Sequence, residues 1–572
     1  MLRIPDDIRD LKVFTKDLID ECMSSSEERG MVYTRAAQYY YMGTASIEAA
    51  IYNKIKSFID RLAGFLMQPT DVRFQIIFDS GEADESVLTR GQLVSEKLTA
   101  DYRQTDSDIV FAETLVWSLI NGCHLLKHIP TEMGFKVSPV HPQNFGVLSE
   151  TTLDLDEQEA FCHVSYPTVH KVRDMLEEMH HPKAESIMEE VIEGKRSERD
   201  EVEQTYFHQM VVGGLQPVGD VGSQPEAAGV VNVFPVPTPW RPNRKIAPTV
   251  KHCELWVKDP KRDGDYTTIQ CIYGAEPIIL YGDDQRSNIS KVPGHHSFVK
   301  IQAQPTPGYF WGRSIIADVQ MLQDVLNKRL RDIKVMWDRN VNAPQVFSGF
   351  TSVTEEDYLK IINEGGFIND PNPNAKASKL VEPPPESYLE ELNFLFRLFD
   401  EASGFSPVMS GQGEPGVRAG VHAQTLVRTS SPRLIDQAAR IERQLATSGY
   451  LSVRCMQATD PSIYVTDKGV EFTLEGLPDN FQVQVDSHSA SPAFAEDNRQ
   501  LAIALARAGA IDAEDLIHML HPPGAELLLA RLRQREKAKA QAAKEEKQEE
   551  LIRDVLHLPA RGPKRKEGGR GK

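Results

Sequence analysis

Three glycines, Gly411, Gly413 and Gly416, in the stretch MSGQGEPGVRAGVHAQ (Met409 to Gln424) spell G-x-G-x-x-G. An acidic residue, Asp436, follows about twenty positions on, as in a dinucleotide site. There, glycines let the backbone approach a pyrophosphate and the carboxylate holds a ribose hydroxyl. That chemistry also needs a buried strand before the first glycine, to deliver the phosphates to a helix N-terminus. Here the preceding SYLEELNFLFRLFDEASGF has a helical period, Pro415 stands inside the motif, and Asp436 falls on a predicted helix. The spacing is read as coincidence, and the segment as a glycine-rich connector longer than helix–helix loops usually run. It carries one guanidinium, Arg418, with Ser410, Gln412 and Glu414 as its small or polar groups.

Metal and nucleophile chemistry fare no better. His124 and His128 in HLLKH have the i, i+4 spacing of a helical metal pair but lack the glutamate of H-E-x-x-H. His518 and His521 are similarly isolated, and His180-His181 and His295-His296 are adjacent pairs in predicted loops. There is no G-x-x-x-x-G-K-[ST], no G-x-S-x-G and no nuclease-like carboxylate cluster. Six cysteines (Cys22, Cys123, Cys162, Cys253, Cys271, Cys455) lie scattered with no C-x-x-C, which predicts buried thiols in a reducing compartment. The sequence therefore predicts no metal and no cofactor, and these catalytic motifs are missing from it.

The elements that would position any site are those of a large folded chain. At 572 residues, 40% hydrophobic and 26% charged, the composition is ordinary for a globular protein. The most apolar stretch, IVFAETLVWSLINGCHLL (Ile109 to Leu126), contains Glu113 and reads as a buried helix or a helix plus strand, not a membrane span. The N-terminal MLRIPDDIRDLKVFTKDL is charged and periodic, unlike a secretory signal. The formal charge is −19, yet Arg561 to Lys572 holds six basic side chains and one acidic, leaving −24 for the rest. An acidic body with a basic tail does not wrap nucleic acid tightly.

The first hundred residues read mostly as helix, with an apolar stripe at Ile47, Ile51, Ile55, Phe58 and Leu62. DVRFQIIFD alternates like a strand, a helix runs from Glu85 to Tyr102, and GFKVSPVHPQNFGV reads as strand and loop. Helix returns over Thr168 to Glu193, and Gly213 to Pro248 is an irregular Gly/Pro/Val-rich insertion. HCELWVK, YTTIQCIYG and PIILYG predict a small antiparallel sheet. A long helix follows, capped by Ser314, with Ile315, Val319, Leu322, Leu326, Leu330, Ile333 and Trp337 on one face. APQVFSGF is a strand. A second rod runs from Glu386 to Ser403 with Leu389, Leu392, Phe396 and Phe399 on one face. A third helix runs from Ala419 towards Ala458, with Pro432 inside it predicting a kink. Strands near Ile463 to Phe472 and Phe481 to Asp486 precede helices, a long Ala/Glu/Lys/Arg helix over Ala525 to Leu558 and a basic tail. The fold class is mixed α+β, predominantly helical.

The order sheet, GYFWGRSIIADVQMLQDVLNKRLRDI, strand APQVFSGF, GGFIN turn, shorter helix, SPVMSGQGEPGVRAGVHAQ and kinked helix resembles the portal proteins of tailed bacteriophages, the head-to-tail connectors. The resemblance covers nearly the whole chain and is most specific over Gly308 to Gly449. It implies a ring subunit: a wing (residues 1–313, with the irregular insertion at about 212–248), a first stem helix (314–340) and a clip (341–385). A second stem helix (386–403), a tunnel loop (404–420), a kinked helix with the rest of the wing (421–490), a crown (491–530), a barrel-like helix (531–558) and a disordered basic tail (559–572) complete it.

The same resemblance implies that the protein forms the channel, of twelve subunits, through which double-stranded DNA enters and leaves a virion. The ring assembles in the host cytoplasm. Implied partners are its own copies, duplex DNA, the terminase large subunit that docks on the clip, head-completion or tail adaptor proteins, and major capsid or scaffolding protein; no membrane is involved. Ser410, Gln412 and Arg418 would line the narrowest part. Lys328, Arg331, Lys334 and Arg339 are candidates for DNA contact or for pairing with acidic groups of a neighbour, and Leu322, Leu326 and Leu330 for packing between subunits. An acidic wall with sparse cations suits sliding DNA, since each phosphate paired with a cation adds salt-dependent affinity. The rival reading is another virion structural protein, a tail adaptor or capsid-associated subunit without a channel.

Overall fold

The computed structural model describes residues 2–44, 52–67, 72–78, 85–131, 134–178, 184–197, 249–258, 266–274, 276–280, 296–341, 345–349, 371–379, 387–404 and 432–459, with short pieces elsewhere up to 532. Residues 1–491 form one compact unit and 492–572 a second. In the first, helices α1 (Ile8–Met23), α2 (Ser26–Met42) and α3 (Lys54–Leu66), strand β1 (Phe74–Ile77) and helices α4 (Glu85–Gln104) and α5 (Ser107–Asn121) lead into β2 (His124–Thr131), β3 (Gly134–Val140), β4 (Phe145–Val147) and β5 (Ala160–Ser165). Then come α6 (Val169–Glu178), α7 (Ala184–Ser197), β6 (His252–Lys258), β7 (Tyr266–Ile272), β8 (Ile278–Ile279) and β9 (Phe298–Ile301). After these follow α8 (Ile316–Val341), β10 (Gln345–Ser348), β11 (Lys376–Lys379), α9 (Ser387–Ser403), α10 (Pro432–Ala458), β12 (Tyr464–Val465), β13 (Glu471–Phe472) and β14 (Gln482–Val485). In the second unit, residues 502–508 are helical and end at Gly509, whose φ of +71° suits a helix stop.

The core is a pair of antiparallel sheets, one of order β4-β5-β6-β7-β8 and one of order β3-β2-β9. Alternation along the strands decides which face each residue serves. Ala160, Cys162 and Val164 of β5, with Cys253, Leu255 and Val257 of β6, pack beneath Leu11, Leu18, Ile19 and Cys22 of α1. The intervening Phe161 and Trp256 turn the other way and join Phe145, Phe298 and Leu125, so the three-stranded sheet covers that face. Phe161 stacks on Trp256 with centroids 5.8 Å apart and meets Phe298 edge-on, also at 5.8 Å. β6 is thus buried on both sides from His252 to Val257.

One charge lies inside this layer. Glu254 on β6 is buried, and Lys127 of β2 reaches it across the sheets, with His163 Nδ1 at 3.5 Å. Burial works against the Glu254 charge, but Lys127 and His163 outweigh it and hold the carboxyl well below its ordinary range. All six cysteines are buried free thiols, as their scatter suggested.

α10 rests on the smaller sheet. Gln444 makes a reciprocal pair with the Gln302 main chain, both bonds 3.0 Å. Ser448 Oγ lies 2.8 Å from His128 Nε2 and 2.9 Å from the Tyr102 hydroxyl. Pro432 is the first described residue of this helix, and residues 419–431, over which the helix was expected to begin ahead of a kink at this proline, lie outside the described residues. The stripe expected from Ile47 is revised: the helix starts at Lys54, capped by the Asn53 side chain, which accepts from the Lys56 N–H at 3.0 Å. Ile47 and Ile51 lie outside the described residues, as do the 212–248 insertion, all of the 525–558 helix but residues 531–532, and the basic tail.

Lys127→Met removes the ammonium that pairs with the buried Glu254 carboxylate, leaving it His163, and is expected to lower stability by about 3–5 kcal/mol in urea unfolding. Adding Glu254→Leu should recover most of that loss; no recovery would contradict the pairing.

Candidate functional site

The helical hairpin α8–β10–β11–α9 is where the sequence placed its candidate residues, and its root is held by the rest of the chain. α8 leaves the sheets through a turn at Gly312 (φ +70°), packed against Gly122 (φ +99°) at the end of α5. A Cβ on Gly122 would stand 2.8 Å from the Arg313 backbone, so only glycine allows this approach. Just ahead, Trp311 donates to Glu150 at 2.7 Å, and the Arg29 guanidinium lies 3.9 Å over its ring. Ser314 caps the helix as expected, its hydroxyl accepting from the Ile316 N–H at 3.2 Å.

α8 has 26 residues, about 39 Å at ~1.5 Å per residue. Two carboxamides on its first half are buried and fully used. Gln323 accepts from the Lys54 N–H at 3.1 Å and donates to Tyr52 O at 2.6 Å. Asn327 accepts from the Tyr52 N–H at 3.1 Å and donates to Gly43 O at 2.9 Å. Asp324 takes the Tyr39 hydroxyl at 2.7 Å. The Lys54 ammonium in turn sits 2.8 Å from Asp400 and 3.0 Å from Phe396 O near the end of α9, over the Phe396 and Phe399 rings. The start of α8 and the end of α9 therefore meet the same segment, while Arg329 meets Glu391 at 2.8 Å further down; the two helices are antiparallel.

The apolar stripe of α8 is spent within the chain. Leu326 and Ile333 are buried against Leu392 and Leu395, and Leu330 packs on the same cluster with Tyr388 and Phe396. Leu326 and Leu330, expected to pack between subunits, meet α9 of the same chain, and Leu322 is half-buried. Trp337, expected on this stripe, is 58% exposed, and so is Leu389 at 62%. The true inner face of α9 is Leu392, Leu395, Phe399 and Ser403.

Of the basic residues on α8, Arg329 is committed to Glu391 and Asp332. Lys328, Arg331, Lys334 and Arg339 are exposed and have no ion pair among the described residues. They run down the part of the helix that the Tyr52–Lys54 segment does not reach. Ser410, Gln412 and Arg418 lie outside the described residues. Around that segment, a helix ending at Gly404 (φ +74°) stands where a dinucleotide site requires a strand, and Asp436 is on α10, paired with Arg440 at 2.9 Å.

The histidine pair proves to be on strand β2, not on a helix, and both rings are buried. His124 packs edge-on to His141 with centroids 5.5 Å apart. Among the described residues no group of three or more His, Cys, Asp or Glu side chains is placed to hold a metal ion. His180, His181, His295, His518 and His521 lie outside the described residues. The His128–Ser448 contact has the residue types of a nucleophile and its base, but both side chains are sealed between α10 and the sheet, where they dock the helix. Among the described residues no helix is long and apolar enough to cross a membrane.

Sequence reading missed the buried carboxamides, since Gln323 and Asn327 look like wet-face residues. It also missed Met321 (76% exposed) and Phe394 (62% exposed) on the outer sides of the two helices. A second apolar series at Met321, Val325 and Val335 was the available signal.

No family model and no curated protein matches this chain. Among solved structures, a chain from the virion of a native gene transfer agent particle is similar over 82% of this chain and 89% of that one, at 12% identity and a TM-score of 0.35. A likeness at that level carries no argument about function.

Leu326→Ala should lower the stability of the chain itself by about 2–5 kcal/mol. The loss should be the same at every protein concentration; a concentration-dependent loss would return Leu326 to an intersubunit role. Burial lowers His124 to about 4 and His128 to about 3, so the unfolded chain takes up protons below pH 6.5 while the folded chain refuses them. Stability is full above pH 6.5 and falls as pH drops towards 4. His128→Gln should flatten that fall in a series of thermal melts.

Proposed function

We propose that this chain is the subunit of a portal ring, the channel at one vertex of a virion through which double-stranded DNA is packaged and ejected. The observation that carries the reading is the antiparallel hairpin α8–β10–β11–α9, rooted in a β-sheet body and followed by α10. That order is the stem, clip, stem and wing sequence of the family the chain resembles. The hairpin presents exposed cations on a chain whose net charge is strongly negative. Duplex DNA carries a charge about every 1.7 Å, so a few cations per subunit, repeated around an axis, guide it, whereas a uniformly basic wall would hold it.

In this reading Arg331 and Lys334 are the stem groups that touch phosphate, and the segment with Ser410, Gln412 and Arg418 lines the constriction. The ring holds twelve copies. Terminase docks at the hairpin end where β10 pairs β11, and adaptor proteins and the capsid take the remaining faces. No catalytic step belongs to this chain.

Purified protein viewed end-on by negative-stain microscopy should show rings with a central hole wide enough for duplex DNA; a compact particle with a filled centre would overturn the proposal. Arg331→Glu with Lys334→Glu should leave rings intact and weaken duplex binding, the salt slope falling by about one for each phosphate that is no longer neutralised. Unchanged binding and slope would remove these two residues from the channel.

A further inference from the structure

α8 has two seams, and among the described residues only one is covered. The inner seam packs on α9. The outer one runs Met321, Val325, Lys328, Asp332, Val335 and Arg339, at spacings of 4, 3, 4, 3 and 4, the repeat by which two helices lie along each other. Met321 is 76% exposed and Val325 and Val335 are each 42% exposed, so three apolar side chains on one straight line face solvent. α9 has a matching uncovered side. Glu390, Phe394, Arg397 and Glu401, at spacings of 4, 3 and 4, are all exposed and point away from Leu392, Leu395 and Phe399. Phe394 is 62% exposed at the centre of that line.

The two outer sides are different and complementary. Lys328 and Arg339 flank the apolar positions of α8, and Asp332, the one acid on that seam, is held by Arg329. Glu390 and Glu401 flank Phe394 on α9, with one cation, Arg397, between them. A surface that fits a different surface of the same molecule makes a head-to-tail contact, which closes into a ring when the rotation permits.

The register within the chain sets the heights. Arg329 stands beside Glu391 and the helices are antiparallel, so Val325 is level with Leu395 and Lys328 with Leu392. Rotation about an axis parallel to the hairpin preserves levels. It brings Phe394 of a following copy to Val325 and Glu390 to Lys328, within about one helical turn.

We infer that the outer side of α8 docks on the outer side of α9 in a second copy of this chain, with Val325 against Phe394 and Lys328 against Glu390. This rests on the ring reading above and assigns its stem contact to residues on the opposite side of α8 from Leu326. Lys328 and Arg339 then serve the neighbouring subunit, which leaves Arg331 and Lys334, to one side of the seam, for the channel.

The test is crosslinking between two single-cysteine variants, Val325→Cys and Phe394→Cys, added to the full chain, whose own cysteines are buried. Mixed before assembly and oxidised by copper phenanthroline, the two should give a covalent dimer on denaturing gels. Either variant alone should give none, because a head-to-tail contact never places like positions together. In parallel, Phe394→Glu should convert the assembly to monomer in sedimentation velocity with an unchanged monomer circular dichroism spectrum. Lys328→Glu should weaken assembly at least tenfold, and Lys328→Glu with Glu390→Lys should restore it. Rings that persist in Phe394→Glu and Val325→Glu, or a Val325→Cys variant that crosslinks to itself, would overturn this contact and leave the ring reading standing. A wild-type chain that stays monomeric at every concentration would overturn both.

Discussion

A single long helix has more sides than its own chain covers, and the architecture around α8 follows from that constraint. The helix is about 39 Å long. One side is closed by α9, and the first half is closed again by the Gly43 and Tyr52–Lys54 segments. What remains open is an outer line of mixed apolar and basic character, the kind of surface that a stable soluble fold does not need for itself.

The body serves as the mount for that rod. Two sheets with an aromatic filling fix β9, and β9 leads through Trp311 and the back-to-back glycines Gly122 and Gly312 into the first turn of α8. At the far side Lys54 closes the loop by gripping the end of α9 with a carboxylate, a carbonyl and two ring faces. Two successive copies of this mount would hold their rods at equal height with no further adjustment, because the register of the hairpin is set inside each chain.

Local periodicity makes most of the elements readable. The long helix, its Ser314 cap, the alternating strand at Phe74, and the β6–β7–β8 meander all follow from patterns of apolar residues that no tertiary contact overrides. Errors arise where a partner outside the local window decides burial. The contact of Leu326 with α9 is not legible because α9 lies far along the sequence, and Leu389 looks like part of a stripe that in fact ends at Leu392. Gln323 and Asn327 are invisible because a carboxamide reads as wet until its hydrogen-bonding partners are known. HLLKH has a helical metal spacing, but the run of large apolar residues around it belongs to a strand. The exposed cations of α8 are legible as a group, whereas the one removed from it, Arg329, needs the position of Glu391.

The clasp that Gln323 and Asn327 make has a consequence for how this protein meets its ionic surroundings. Neutral hydrogen bonds to main-chain atoms root the rod, and counterions do not screen them as they screen exposed charges. Swings in ionic strength, such as those around a dense polyanion, should leave each rod at its set angle while loosening whatever is joined through Lys328, Arg331, Lys334 and Arg339. Rigidity and adhesion are thereby placed under separate control on one helix.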